Sequence, residues 1–420
     1  MLEQLFNDPA AVERLRAGLL GPHLDVFVRT ATNLGYTRTS LLDWLVVLRD
    51  LQRWLGCHTL GVADLEESVL ERFLDERKRR QRREGKVRCS IVGARTVYFL
   101  LQHLRQQGVV AEAKRQVDRS PLAMLYSRYE GYLRQARGLS PTTPRGYWCV
   151  LRRFLLERFG DGPIRFRELT PDDISDFLLR HARSGTPGQA KFMVTALRSF
   201  FRFLFQEGET DTDLAGAVPT VRSWRLSGVP KYIAPEEVQK TIDGCSQAHP
   251  VGRRNRALLL LIARLGLRAG EVISLELGDI DWRAGLLTVR GKGGCHDRLP
   301  LPTDVGEALA TYLRRDRPHC DSRKVFVRIR APHQAFAHPS TISTIVRRAL
   351  ESVGLEPPLK GAHLLRHSLA TGMLRRGASM AEIGQILRHR SPSTTEIYAK
   401  VDINGLRSIA RPWPIQGGAR

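Results

Sequence analysis

Cysteine is sparse and scattered. The six residues stand at 57, 89, 149, 245, 295 and 320, and no two form a C-x-x-C pair. That spacing suggests neither a zinc ribbon nor a disulfide framework, and it suits a reducing, cytoplasmic compartment. Long apolar runs are missing too. The longest, Ala257–Ala263, falls far below the roughly 18 residues of a membrane-spanning helix. The opening Met1-Leu2-Glu3-Gln4 has neither the basic region nor the apolar core of a signal peptide, so no membrane partner is expected. Acidic residues are outnumbered: 43 Asp and Glu face 66 Lys and Arg, for a formal net charge of +23 and a pI near 10.5. Lysine is rare as well, with ten residues against 56 Arg. Such a balance fits a polyanionic partner, and arginine is the better bidentate phosphate ligand. A GC-rich coding sequence explains part of the same bias, so charge alone names no partner.

What remains is enough for a buried core, at 42% hydrophobic and 26% charged. A chain of 420 residues is too long for one compact domain, and two or three are expected. Punctuation falls at Asp118–Pro121, at Gly216–Pro230 and after Ala410. The expected layout is a helical block over 1–117, a second over 118–225, a mixed block over 231–410 and a tail over 411–420.

The first two blocks look like copies. Arg49-x-Leu51 followed by Gly56 matches Arg153-x-Leu155 followed by Gly160, and Leu104-x-Gln106-Gln107-Gly108 matches Leu204-x-Gln206-Glu207-Gly208. Acidic amphipathic stretches, Val62–Leu74 and Leu169–Leu179, lie between, each opening on a helix-start signal. In the second block Leu197, Phe200, Phe201 and Leu204 share one helical stripe. The run Glu76–Arg88 is the densest basic segment, read equally well as a DNA-binding arm or a solvated helix end. In the third block, Arg253–Ala263, Thr341–Val353, His363–Arg376, Met380–Leu387 and Ser393–Val401 read as helices. Leu286–Val289 and Arg298–Leu301 flank Gly291-Lys292-Gly293-Gly294 as a hairpin. The fold class is therefore α+β, mainly α, with a small β-hairpin sheet.

Three clusters of the third block carry chemistry: Gly266-Leu267-Arg268-Ala269-Gly270-Glu271, His363-Leu364-Leu365-Arg366-His367, and Arg388-His389-Arg390-Ser391 leading to Thr394-Thr395-Glu396-Ile397-Tyr398. A phosphodiester gathers charge on its non-bridging oxygens during in-line attack. Arg268 and Arg366 supply paired N–H forks for it, and His389 a further donor. A phenol with pKa near ~10 needs a base or a positive field to act as nucleophile, which puts Tyr398 in that role with His363 as base. Lys292 on its glycine-flanked turn can protonate the departing 5′ oxygen. His363 and His367, four apart, could share a metal, but Leu364 stands where a zincin has Glu and no third ligand is evident. No metal and no other cofactor is expected.

In order and spacing the clusters resemble the tyrosine recombinase (phage integrase) family, over about Lys231–Ala410. By position the resemblance makes Arg268, Lys292, His363, Arg366, His389 and Tyr398 the catalytic set, with Glu271 and His367 in support. One departure is Arg388, where the family usually has Gly in a tight turn. The resemblance further implies a DNA-cutting and rejoining enzyme with a 3′-phosphotyrosyl intermediate, associated with mobile elements. It also implies double-stranded DNA as partner, a tetramer of like subunits, and in some cases sister recombinases. The second block then matches the family's SAM-like core-binding domain, with Arg145, Lys191, Arg198 and Arg202 as DNA-facing candidates. Rivals are a related type IB topoisomerase and a DNA-binding regulator with little catalysis.

Overall fold

The computed structural model describes residues 1–407 except 7, 84–89, 113–117, 119, 140–141, 161, 183–184, 222–227, 292–295 and 403–405. Lys292, Cys89, Cys295, residues 411–420 and the end of the basic run Glu76–Arg88 thus lie outside the described residues. The chain forms two compact units, residues 114–227 by themselves and residues 1–113 together with 228–420.

The first 113 residues carry helices α1 (Leu2–Leu5), α2 (Pro9–Arg16), α3 (Gly21–Asn33), α4 (Arg38–Cys57), α5 (Glu67–Arg83) and α6 (Ser90–Gln106). They close over their own core, in which Phe27, Leu48, Leu51, Leu70, Leu100 and Leu104 are buried. This core is distinct from the one that supports the chemistry-bearing clusters. Contact with the C-terminal part includes the His333 N–H donating to the Leu34 carbonyl at 2.9 Å and Arg95 Nη2 donating to the Ala331 carbonyl at 3.4 Å. Two of the arginines in the basic run are structural: Arg77 Nε and Arg80 Nη2 both bond Asp50, at 3.2 and 3.3 Å. Arg79, Arg82 and Arg83 are exposed.

The separate unit holds α7 (Pro121–Gln135), α8 (Thr142–Phe159), α9 (Pro171–Ala182) and α10 (Pro187–Gln206). Local signals start these helices. The Ser120 hydroxyl accepts the Ala123 N–H at 3.2 Å, and Thr186 with Gln189 makes a capping box ahead of α10. The expected stripe is buried, with Leu197, Phe200, Phe201 and Leu204 fully enclosed and Phe154, Phe177 and Phe203 beside them. Each such side chain contributes about 1.5–3 kcal/mol of burial. Leu214, Ala215 and Val218 join this core, so the stretch read as linker from Gly216 begins inside the domain. Apolar side chains anchor it despite its poor periodicity.

The C-terminal part is built from α11 (Pro235–Asp243), α12 (Pro250–Leu265), α13 (Ala269–Ser274), a sheet, α14 (Thr303–Arg315), α15 (Ser340–Ser352), α16 (Ala362–Arg375) and α17 (Met380–Ile386). Helix α12 is apolar all round over Ala257–Ala263, and every residue of that run is buried in the core. The sheet is antiparallel, in the order β1 (Ile280–Asp281), β2 (Leu286–Arg290), β3 (His296–Pro300), with Leu287 opposite Leu299 and Val289 opposite Asp297. The expected hairpin is therefore joined by a third strand, two residues long and too short to show alternation. The fold is mainly helical with this small sheet, as its sequence patterning implies. One expected helix is different: Ser393–Val401 falls in two 3₁₀ segments, Pro392–Thr394 and Glu396–Val401. Pro392 lacks an N–H, and the β-branched Thr394, Thr395 and Ile397 follow it, which favours short i→i+3 turns over a continuous helix.

Candidate active site

The cluster Gly266–Glu271 owes its spacing to two adjoining helix caps. Gly266 ends α12 with φ +61°, the left-handed region that glycine enters freely. A Cβ there would also stand 2.7 Å from Leu387 Cδ2. Two residues on, Arg268 is the N-cap of α13, and Glu271 at the third position returns to accept the Arg268 N–H at 2.8 Å. The same carboxylate takes Arg268 Nη1 at 2.6 Å. Glu271 is buried, which by itself would raise its pKa. The Arg268 N–H, the Arg388 charge and the guanidinium hydrogen bonds outweigh that and hold it below the usual carboxylate range.

Helix α16 supplies the second cluster. Arg366 is buried, and its two terminal nitrogens donate to the Gly266 and Leu387 carbonyls. Burial, followed by the charges of Arg268 and Arg388, lowers it to about 10, so it stays cationic at neutral pH. His363, on the first turn, is exposed at its edge. Partial desolvation and the charges of Arg366 and Arg268 push it below its ordinary value. His367, one turn on, is brought to about 4 by burial, His363 and Arg366. Its Nδ1 lies 2.9 Å from the Tyr398 hydroxyl. The base assigned from sequence was His363, but the imidazole on the phenol oxygen is His367. The two differ by one helical turn, and the seating of the 3₁₀ segment decides which of them meets the tyrosine.

The third cluster lies after α17. Arg388 adopts φ +54°, and the His389 N–H returns to the Gly384 carbonyl at 2.9 Å. The chain thus makes a tight turn here on a residue other than glycine. His389 Nδ1 is 2.8 Å from the Thr395 hydroxyl, and its ring is parallel to Tyr398 at 6.5 Å. Burial and the neighbouring Arg366, Arg268 and Arg388 lower His389 to about 4. Tyr398 is 2% exposed, and burial raises its pKa against the opposing pull of Arg366 and Arg268. It is a neutral phenol at pH 7. A cavity of about 740 Å³ opens beside these groups, lined by Arg268, Glu271, Arg290, Arg388, His389 and Arg390 among others. Among the described residues no group of three or more His, Cys, Asp or Glu could hold a metal ion, and no helix is long and apolar enough to cross a membrane.

The fold thus gathers Arg268, Glu271, Arg366, His363, His367, His389 and Tyr398, while Lys292 falls outside the described residues. The groups that sequence reasoning missed are Thr395 and the Arg388 side chain. The signal for Arg388 was its presence where glycine is usual. Among the DNA-facing candidates, Arg145, Lys191 and Arg202 are exposed. Arg198 is half-buried, and its Nη2 donates to the Val218 carbonyl at 2.8 Å and the Thr220 hydroxyl at 2.9 Å, pinning its own domain's C-terminal strap.

The pattern of the Phage integrase family matches residues 231–404, and that of the phage integrase N-terminal SAM-like domain matches residues 127–208. A Sinorhizobium fredii protein, described provisionally as integrase/recombinase y4rA, is 40% identical over 415 residues, covering 98% of this chain and 99% of its own length. Tyrosine recombinase XerD of Mycobacterium tuberculosis is 31% identical over 307 residues, covering 69% of this chain and 96% of XerD. Among solved structures, a lambda integrase tetramer bound to a Holliday junction aligns with TM-score 0.52 at 20% identity, over 79% of this chain and 90% of that one, which shows a shared fold. With one relative 40% identical over nearly its full length and another 31% identical over more than two thirds of it, the chain belongs to the phage integrase (tyrosine recombinase) family and is a site-specific DNA recombinase.

Proposed function

We propose that this chain cuts and rejoins duplex DNA through a 3′-phosphotyrosyl intermediate formed on Tyr398, in the service of a mobile element. The observation that carries this reading is the Tyr398 hydroxyl held 2.9 Å from a neutral imidazole, His367, in a cluster with two arginines. In the reaction Tyr398 Oη attacks phosphorus and its proton passes to His367. The bond from phosphorus to the 5′ oxygen breaks, and Lys292 supplies that oxygen's proton. Arg268 and Arg366 neutralise the charge that builds on the non-bridging oxygens. Neutral His389 adds a donor from Nε2 when its Nδ1 accepts from the Thr395 hydroxyl. His363 stands at the exposed edge of the same helix as a second proton-transfer group. The tyrosyl ester conserves the bond energy, so a second DNA end reverses the step without ATP or a metal. Because Tyr398 is buried, attack requires the 3₁₀ segment to shift when DNA binds. Four strands must be cut for an exchange, which favours a tetramer on two duplexes. The lambda integrase structure, a tetramer on a four-way junction, is consistent with that assembly.

The N-terminal 117 residues act in this reading as an added copy of the core-binding module. In both copies a 3₁₀ turn precedes the third helix of the set, Val62–Asp64 before α5 and Phe166–Glu168 before α9. The last helices also end alike, on Gly108 and Gly208 with φ +71° and +73°.

The test is Tyr398→Phe on a nicked suicide duplex built from the DNA flanking the encoding gene, in EDTA and without nucleotide. The wild type should accumulate a covalent adduct, and the variant should bind equally and form none. A normal adduct yield from Tyr398→Phe, or a wild type that needs Mg²⁺, would overturn the reading.

A further inference from the structure

Buried beneath the phosphate-facing arginines is a third one with no place in the reaction so far. We infer that Arg388 is a positioning residue for strand cleavage, one that shares the Glu271 carboxylate with Arg268 and so keeps Arg268 free to hold a phosphodiester. This rests on the reading of Tyr398 as nucleophile.

The turn does not explain the residue. Arg388 sits at φ +54°, where an L side chain is disfavoured and glycine is at ease, and the turn's own bond is made by the backbone. DNA contact does not explain it either, since the side chain is 6% exposed. Its bonds point inward. Nη2 donates to Glu271 Oε2 at 2.8 Å and to the Gly266 carbonyl at 3.3 Å, while Nη1 donates to the Ile386 and Leu265 carbonyls at 2.9 and 3.2 Å. Its backbone carbonyl accepts Arg268 Nη2 at 3.3 Å.

Glu271 is the centre of this arrangement. Also 6% exposed, it takes Arg268 Nη1 on one oxygen and both the Arg268 N–H and Arg388 Nη2 on the other. With Arg268 as its only partner, a buried carboxylate would cancel that guanidinium's charge and compete with the phosphate for its N–H groups. A second guanidinium leaves the triad with one net positive charge. Arg268 keeps 39% of its side chain exposed, beside the cavity where a phosphate would lie. Arg388 therefore balances the carboxylate from below and carries Arg268 on its carbonyl.

Arg388→Gly tests this, because glycine suits the backbone and the variant should fold. On the nicked duplex, single-turnover adduct formation should slow ~10–100-fold, the worth of one hydrogen bond to a charged group, with DNA affinity unchanged. Adding Glu271→Gln removes the unbalanced charge, so the double variant should recover most of that rate, and Arg388→Lys should fall between. A wild-type rate for Arg388→Gly, or a double variant as slow as the single one, overturns the inference. Urea unfolding from pH 7 to pH 3 provides an arm free of DNA. Wild type should lose more stability through the carboxylate range than Arg388→Gly, and the difference should vanish in the Glu271→Gln background. Superposable profiles of wild type and Arg388→Gly would equally overturn it. A wild type that makes no adduct would instead sink the nucleophile reading, leaving the unfolding profiles to judge the Arg388–Glu271 link.

Discussion

The two sides of the active site are built differently. The arginine side stands on α12, α13 and α16, whose apolar faces belong to the large core around Ala257–Ala263 and Leu364–Leu365. Arg366 is tied to two carbonyls, and Arg268 is held by Glu271, which accepts both its N–H and its Nη1. The tyrosine side follows α17 and consists of 3₁₀ turns packed on a small cluster of Ala370, Ile383, Leu387, Tyr398 and Val401. Electrostatic stabilisation gains most when its donors are fixed before the reaction. A nucleophile that must be withheld until DNA is in place benefits from a support that costs little to move. The division of support thus follows the division of labour in the proposed reaction.

Breaking the comparison from its rigid side should give the largest effect. Arg366→Ala removes a proposed phosphate ligand, orphans the Leu387 carbonyl at ~1–3 kcal/mol, and leaves the Gly266 carbonyl only its 3.3 Å bond from Arg388. Adduct formation should fall below detection and the urea midpoint should drop clearly. Arg268→Ala, at a half-exposed position, should slow cleavage by ~10²–10³-fold as loss of one oxyanion-type donor does, while the midpoint stays near wild type. Equal destabilisation by the two variants would erase the contrast between a buried anchor and a presented ligand.

Acid should sharpen the contrast. His367 and His389 are both held near 4 in the fold, against about 6.5 in an unfolded chain. Below 6.5 the unfolded state binds more protons, so their contribution is complete above that pH and is lost as pH falls towards 4. Both contact the tyrosine side. Hydrogen exchange at pH 5 should therefore accelerate over residues 387–401 before it does in α12, and uniform acceleration would count against two separable sides. The smallest effect lies outside both. Replacing exposed Arg79, Arg82 and Arg83 with Gln should leave cleavage of a short duplex intact. It should lower the slope of log affinity against log salt by ~0.9 for each phosphate that these arginines neutralise in the wild type. An unchanged slope would remove α5 from the DNA interface.

Much of this was legible in local pattern. Stripes such as Leu197–Leu204 announced buried helices, because helix faces depend on residues three or four apart. The bonds from Arg198 Nη2 to Val218 and Thr220 were not legible in this way, since those partners lie twenty or more residues later.

By itself, then, the sequence determined the mainly helical class with its small hairpin sheet, and it offered a set of side chains proposed to grip a phosphodiester. Those follow from periodicity, capping and residue chemistry within short windows. Only the tertiary structure decided that His367 and not His363 meets the phenol, that Tyr398 rests buried, and that Arg388 reaches under Glu271. The two side-chain bonds among these join segments 31 and 117 residues apart. Such pairings are set by how helices and 3₁₀ turns pack on shared cores, and no local spacing encodes that.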